Sequence, residues 1–255
     1  MARTPRVRTE EGFYHVILRG SGRQILFEND GDRRLLLALL GRCLGEAGIS
    51  ILAWCLMSNH VHLLLREPQG ELSPAIQRCT GSYAEHFNRL TGHVGHVFEG
   101  RFKSVPVTNE RQLLQVLRYI HDNPERAGVC RASEYRWSSF SEYASGRSEV
   151  ADVGPLLELL GGAEGFAALC ASADRGTYVE RTGAFVSDDD ALLAAREALG
   201  GVDPATLKGL RPAERNPTLQ LLRDAGLTIR QVERLTGIGR STISHATHRS
   251  TERLA

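Results

Sequence analysis

The chain lacks the features that mark membrane, secreted or disulfide-rich proteins. Its 255 residues include only five cysteines, an odd number without a Cys-x-x-Cys pair, which argues against a disulfide framework and a cysteine zinc site. No apolar run approaches the roughly 20 residues that cross a bilayer, and the first residues lack the apolar stretch of a signal peptide. We therefore expect a cytoplasmic protein with no membrane partner.

A strong charge of one sign is also missing, because the formal net charge is +1. The distribution is uneven: lysine plus arginine number 19 against 15 acidic residues in residues 1–147, 3 against 10 in 148–200, and 9 against 5 in 201–255. Two mildly basic regions around an acidic one permit two nucleic-acid contacts. We predict a first domain over residues 1–147, an acidic helical connector over 148–202 and a last domain over 203–255.

Strand and helix patterns alternate through the first domain. The predicted elements are a strand at Phe13–Arg19, a helix at Asp30–Ala47, a hairpin of Ile49–Met57 with His60–Arg66, a helix at Leu72–Leu90, a strand at Val97–Val107 and a helix at Asn109–Asp122. This β-α-β-β-α-β-α order predicts an α+β fold, a ferredoxin-like and largely antiparallel sheet packed with helices.

The last domain reads as all-α. Its predicted helices are Pro212–Ala225, Ile229–Leu235 after a Thr228 cap, and Arg240–His248 after a turn at Gly237. Two short helices across a glycine turn predict a small helix-turn-helix domain. The side chains available on its second helix for DNA are Arg240, Ser241, Thr242, Ser244 and His245. The competing interpretation is a helical bundle that only caps the fold.

Two histidines two residues apart are the strongest chemical signal in the chain. His60 and His62 lie on a predicted strand, where side chains at i and i+2 share one face, while Val61, Leu63 and Leu65 would face the core. Imidazole is a common ligand of divalent metals, so the pair suggests a two-point metal site. The alternative is a pair of exposed or hydrogen-bonded histidines on an edge strand.

The helix predicted from Asn109 carries a polar row beside its apolar stripe. Tyr119 and Asn123 are neighbours in that row at i and i+4. If the row meets the histidine face, Asn123 can supply an oxygen ligand and Tyr119 a nucleophilic oxygen. Alternatively Tyr119 flanks the helix with its hydroxyl in water, and Asn123 is only a helix-terminal residue before Pro124.

The sequence does not assign a single role to three other groups of residues. Arg101 and Lys103 alternate on the predicted fourth strand and are candidates for binding DNA phosphates, although a solvated strand face explains them equally well. His121 is a candidate for proton transfer beside Tyr119. His15 has no role that the sequence assigns.

These motifs together resemble the HUH single-tyrosine transposases, in particular the REP-associated tyrosine transposases, with a helix-turn-helix extension that the resemblance does not cover. The matching segments occur in family order over roughly residues 10–146. They are Tyr14-His-Val-Ile-Leu-Arg-Gly20, Met57-Ser-Asn-His-Val-His-Leu-Leu-Leu65, Val97-Phe-Glu-Gly-Arg-Phe-Lys-Ser104, Arg118-Tyr-Ile-His-Asp-Asn-Pro124 with Ala127-Gly128, and Trp137-Ser-Ser139.

The resemblance implies a metal-dependent enzyme that cuts and joins DNA. His60, His62 and Asn123 would hold Mg²⁺ or Mn²⁺, and Tyr119 would attack single-stranded DNA, leaving a 5′-phosphotyrosine bond and a free 3′-hydroxyl. The implied partner is single-stranded or hairpin DNA, with duplex DNA as a candidate for the C-terminal domain and a homodimer as one arrangement found among such proteins. Two alternatives stay open: a non-catalytic DNA-binding regulator derived from a transposase, and a metallohydrolase that uses a bound hydroxide.

Overall fold

A computed structural model describes residues 11–172, 178, 181–182, 185–186 and 190–247. The chain divides into two compact units, Met1–Tyr178 and Val179–Ala255. Within the described ranges, no helix combines the length and apolarity that crossing a membrane requires.

An antiparallel sheet forms the centre of the first unit. Its strands are β1 (Phe13–Arg19), β2 (Ser50–Leu56), β3 (His60–Arg66) and β4 (Lys103–Pro106), and the helices between and after them are α1 (Asp30–Gly45), α2 (Leu72–Thr91) and α3 (Glu110–Arg126). The strand order is β2-β3-β1-β4, with all three pairings antiparallel. The predicted α+β class and its ferredoxin-like element order are therefore confirmed.

The fourth strand is shorter than the sequence predicts. Val97–Val107 was expected to be one strand, whereas β4 contains only four residues and Phe98 makes an isolated bridge to Gly20. Gly100 separates the two pieces, because its φ of +57° lies in the left-handed region that extended strands do not use. Arg101 and Lys103 consequently do not alternate on one strand: Arg101 lies before β4, and Lys103 is its first residue.

Both faces of the sheet are covered. Leu18 of β1 lines a cavity with Ile76 of α2, so one face packs against the α1 and α2 layer. The face that carries His62 packs against α3, which contacts β2 and β3. The prediction that only the Val61 face is buried is therefore incomplete, since His62 is 1% exposed.

Helix α3 continues one turn past its predicted end. Its first turn is capped by Asn109, which accepts from the Gln112 N–H, and the helix passes through Pro124 to Arg126. Proline lacks the N–H for an interior helical bond. The helix nevertheless continues because Asn123 and Pro124 are buried, so tertiary packing outweighs the local preference.

Three short helices follow α3, and two of them contribute rings that pack around His121 of α3. They are α4 (Phe140–Ser145), α5 (Gly154–Leu160) and α6 (Ala163–Ala171). Phe166 of α6 is buried in the core of the first unit, and the Arg118 guanidinium of α3 donates to the carbonyls of Cys170 and Ser172 at 3.0 and 2.7 Å. The predicted connector of residues 148–202 is thus shared between the units: α5 and α6 pack in the first, and later residues pack in the second.

The second unit is mainly helical. It contains a short β5–β6 hairpin (Arg181–Thr182 with Phe185–Val186) and the helices α7 (Ala191–Ala198), α8 (Pro212–Asp224), α9 (Ile229–Thr236) and α10 (Arg240–Ala246). Thr228 forms a capping box with Gln231 at the start of α9, and Gly237 ends α9 with φ +67°. Val232 and Ile243 are buried across the turn between α9 and α10. Helix α10 ends at Ala246, and His248 lies outside the described residues.

Candidate active site

His60 and His62 begin β3 and lie side by side on its α3-facing side. Their ring centroids are 4.8 Å apart at an interplanar angle of 90°. His60 Nδ1 donates to Asn59 Oδ1 at 2.6 Å, because an amide oxygen can only accept. In a neutral imidazole this bond leaves the lone pair on Nε2, which is the form that binds a metal.

His62 is held by a second buried histidine. His62 Nδ1 lies 2.9 Å from His15 Nε2, and His15 Nδ1 lies 2.7 Å from Tyr178 Oη. Burial lowers the pKa of His15 to about 3. Burial also lowers the pKa of His62, and the neighbouring His60 adds to the effect. Both imidazoles are therefore neutral at physiological pH.

Tyr119 packs onto this histidine cluster. Its ring centroid lies 5.6 Å from those of His62 and His15 and 5.0 Å from that of Tyr178. Tyr119 is 4% exposed, so the interpretation of a helix-flank tyrosine with its hydroxyl in water is wrong. Because α3 docks on the face that carries His62, Tyr119 of the polar row lies against His62 and His15.

Asn123 lies one turn after Tyr119 and is 7% exposed. Its Nδ2 donates to the Tyr119 backbone carbonyl at 2.8 Å. A carbonyl can only accept, so this bond identifies the amide nitrogen and leaves Oδ1 as the atom that could serve a cation. Asn123 is therefore an interior residue of α3 with a fixed amide, and not a helix terminus.

Two arginines add positive charge to the site. The Arg126 guanidinium carbon lies 4.8 Å from the centroid of the Tyr119 ring, a cation–π contact. Arg19, at the end of β1, and Arg126 both act on His62, whose pKa they lower further after burial and the two neighbouring histidines. Positive charge beside a tyrosine and two histidines favours an anionic ligand.

The donor set can be tested against a divalent metal. Among the described residues, no three side chains of the histidine, cysteine, aspartate and glutamate types form a metal cluster. The predicted trio instead combines two imidazoles with the Asn123 amide oxygen. The residues fit a cation in one respect that the structure defines: Asn59 and His15 occupy the Nδ1 atoms of His60 and His62, which is how ligating histidines are held from behind.

The other predicted residues of the first unit lie in different surroundings. Lys103 pairs with Ile17 at the outer strand of the sheet. Arg101 lines a cavity of about 460 Å³ together with Arg19 and Phe98. His121 is fully buried in the α4–α6 layer, where Nε2 lies 2.8 Å from Ser139 Oγ, so its candidacy for proton transfer beside Tyr119 is wrong.

The predicted DNA-binding side chains of the second unit lie on α10. Arg240, Ser241, Ser244 and His245 are exposed, and Thr242 is half-buried. Arg240 forms an ion pair with Glu233 of α9 at 2.5 Å, and His245 Nδ1 donates to the Ser241 carbonyl at 2.6 Å. The exposed side of α10 is therefore polar, with one arginine already paired to a carboxylate.

Sequence reasoning did not assign His15, Arg19, Arg126 or Tyr178 to the site. His15 carried a usable signal, since a polar side chain inside an otherwise apolar buried strand needs a partner. Arg126 follows from the helix only once α3 is known to pass Pro124. Tyr178 carried no local signal, because it lies 163 residues from its partner His15.

The first unit is similar to known transposases in sequence. Residues 9–123 match the family model described as "Transposase IS200 like". A REP-associated tyrosine transposase bound to a REP hairpin is similar in structure, with TM-score 0.49 and 17% identity over 60% of this chain and 93% of that one. A putative transposase from Deinococcus radiodurans R1 matches with TM-score 0.33 and 22% identity over 48% and 97%. No curated protein matches.

Proposed function

We propose, from the match of residues 9–123 to the IS200-like transposase model, that this chain is a member of that family and that it cuts and rejoins single-stranded DNA with Tyr119 as nucleophile. One observation carries the proposal: Tyr119 packs against His62 on a polar sheet face, with the Asn123 amide one turn further along the same helix. A tyrosine that served only the core would not require this polar surrounding.

The proposed reaction begins with attack by Tyr119 Oη on a phosphodiester phosphorus. The new Oη–P bond replaces the P–O3′ bond, the phenol proton is released, and the 3′ oxygen takes up a proton and leaves as a hydroxyl. The strand's 5′ phosphate is then held on the enzyme as a phosphotyrosine. Attack by a 3′-hydroxyl reverses the step and joins strands, because the covalent intermediate keeps the energy of the phosphodiester.

His60, His62 and Asn123 are proposed to hold a divalent cation, Mg²⁺ or Mn²⁺, with the two imidazoles favouring Mn²⁺. When bound, such an ion neutralises charge on the phosphate oxygens and orients the group. Free tyrosine has a pKa of about 10 and is a weak nucleophile at neutral pH. Arg19 and Arg126 contribute to the same end by attracting the phosphate towards the site.

The decisive experiment is a search for a covalent adduct. A labelled single-stranded oligonucleotide that contains a hairpin is incubated with the protein and Mn²⁺, and a denaturing gel then separates free DNA from DNA bound to protein. An adduct whose label maps to a peptide containing Tyr119 supports strand transfer. Cleavage without an adduct would favour the metallohydrolase, and binding without cleavage would favour the non-catalytic regulator.

The second unit is proposed to add a DNA contact of its own. The supporting observation is the exposed polar side of α10, which follows α9 across the Gly237 turn. Helices in this arrangement place side chains such as Arg240 and Ser241 against phosphates and base edges of a duplex. The regulator alternative rests on the same surface, and it would retain this contact without chemistry at Tyr119.

A further inference from the structure

The two histidines of the candidate site differ in what holds them. His60 Nδ1 faces the Asn59 amide oxygen, which can only accept, so the proton on His60 is fixed at Nδ1. His62 Nδ1 faces the Nε2 of His15, which either donates or accepts according to its tautomer. The tautomer of His62 therefore depends on the tautomer of His15, which in turn depends on the hydrogen bond with Tyr178.

We infer that His15 is a positioning residue anchored by Tyr178. His15 Nε2 accepts a hydrogen bond from the His62 Nδ1–H, and this keeps the His62 Nε2 lone pair available to a cation. The inference rests on the proposed function, because the hydrogen bonds between Tyr178 and His15 and between His15 and His62 matter for activity only if His62 holds a metal. Tyr178 lies outside the residues 9–123 that define the family match.

Counting protons along this line leaves two arrangements. In the first, His62 Nδ1 donates to His15 Nε2, and His15 Nδ1 donates to Tyr178 Oη across the observed 2.9 and 2.7 Å separations. In the second, every bond is reversed: the Tyr178 hydroxyl donates to His15, His15 donates to His62 Nδ1, and the His62 proton sits on Nε2. Only the first arrangement leaves Nε2 able to bind a metal.

Burial makes this choice of tautomer matter. His15 is 0% and His62 1% exposed, so water cannot replace a lost partner at either ring. An unsatisfied buried N–H is costly, and the acceptor behind a ligating histidine is worth about 10- to 100-fold in metal affinity. Tyr178 has a smaller effect than His15, because it acts on His62 only through the intervening ring.

The test is Mn²⁺ affinity of the full chain, measured by calorimetry without DNA. His15→Leu removes the acceptor and should weaken Mn²⁺ binding about 10- to 100-fold. His15→Gln, whose amide oxygen can accept from His62 Nδ1, should recover most of that loss, and Tyr178→Phe should fall between Gln and Leu. His121→Leu is the matched control, since His121 is equally buried yet lies in the α4–α6 layer, and it should leave the affinity unchanged.

Nitrogen NMR on the wild-type chain with Zn²⁺, a diamagnetic probe that binds imidazole, tests the tautomer directly and needs no variant to fold. A protonated Nδ1 and unprotonated Nε2 on His62 are expected. Unchanged Mn²⁺ affinity in His15→Leu, or a proton on Nε2 of His62 in the Zn²⁺ form, would overturn the inference while the proposed reaction stands. A wild-type chain that binds neither ion would overturn both the inference and the proposed metal site, whereas the assignment of Tyr119 as nucleophile is tested separately by loss of the DNA adduct in Tyr119→Phe.

Discussion

The side chains proposed to act in the two units lie in opposite places. In the first, His15 and His62 are inside the protein and are held by each other and by Tyr178. In the second, the polar side chains of α10 are at the surface, and the interior is apolar around Ile243. Buried polar groups must satisfy one another and so acquire fixed positions, whereas exposed ones can adjust to a ligand. The first arrangement suits chemistry at a defined atom, and the second suits contact with a long polymer.

The largest effect on the first unit is expected from the removal of one oxygen, the Tyr119 hydroxyl. Tyr119→Phe keeps the ring that packs against His62 and should abolish the covalent DNA adduct while leaving folding intact. A denaturing gel measures the adduct, and a thermal melt measures folding. Tyr135→Phe is the control, because the Tyr135 hydroxyl donates to the Leu56 carbonyl away from the site. An undiminished adduct in Tyr119→Phe would remove the nucleophile assignment.

Replacement of the ligand-type side chains should have nearly as large an effect. His60→Ala and His62→Ala should each abolish strand cleavage, since each removes an imidazole from a site with only one further donor. Asn123→Ala should reduce cleavage and recover part of it when Mn²⁺ is added in excess. Calorimetry provides the check: equal Mn²⁺ binding by the wild type and by the double histidine variant would contradict the shared site.

A core substitution in the second unit should separate the stabilities of the two units. Ile243→Ala should cost about 2–5 kcal/mol of unfolding free energy through lost burial and a cavity. Both tryptophans, Trp54 and Trp137, lie in the first unit. We expect the transition seen by circular dichroism to move and the tryptophan fluorescence transition to stay. Equal shifts of both signals would mean that the units unfold as one.

The smallest expected effect concerns a single surface charge. If Arg240 contacts a phosphate, Arg240→Ala should flatten the plot of log K against log salt for duplex DNA by about 0.9. Arg211→Ala removes another exposed arginine that is also ion-paired, in this case with Glu214 at the start of α8, and should leave the slope unchanged. Equal slopes for both variants would return α10 to a purely structural role.

Local patterns in the sequence were enough for most of the fold. The element order and the two helices across Gly237 were predicted because hydrophobic periodicity and caps act over a few residues. The two errors in element length have tertiary or conformational causes. Gly100 interrupts the fourth strand by its positive φ, and burial of Pro124 carries α3 past a residue that usually ends helices.

The candidate site divides in the same way. Helical register alone makes Tyr119 and Asn123 neighbours, and strand alternation alone pairs His60 with His62. Docking of α3 on the histidine face depends on tertiary packing, so local sequence patterns could not predict it. Tyr178 is hydrogen-bonded to His15 across 163 residues of sequence, and no local pattern around either residue predicts that contact. The chemical roles of all these residues remain predictions.

The Arg118 contacts bear on where this chain can be cut or grafted onto another protein. The family match stops at residue 123, inside α3, while Arg118 needs the Cys170 and Ser172 carbonyls and His15 needs Tyr178. A fragment trimmed to the recognisable region would lose the Cys170 and Ser172 carbonyls to which Arg118 donates and the Tyr178 hydroxyl beside His15. A transplantable module must therefore extend to residue 178, well past the end of the family match.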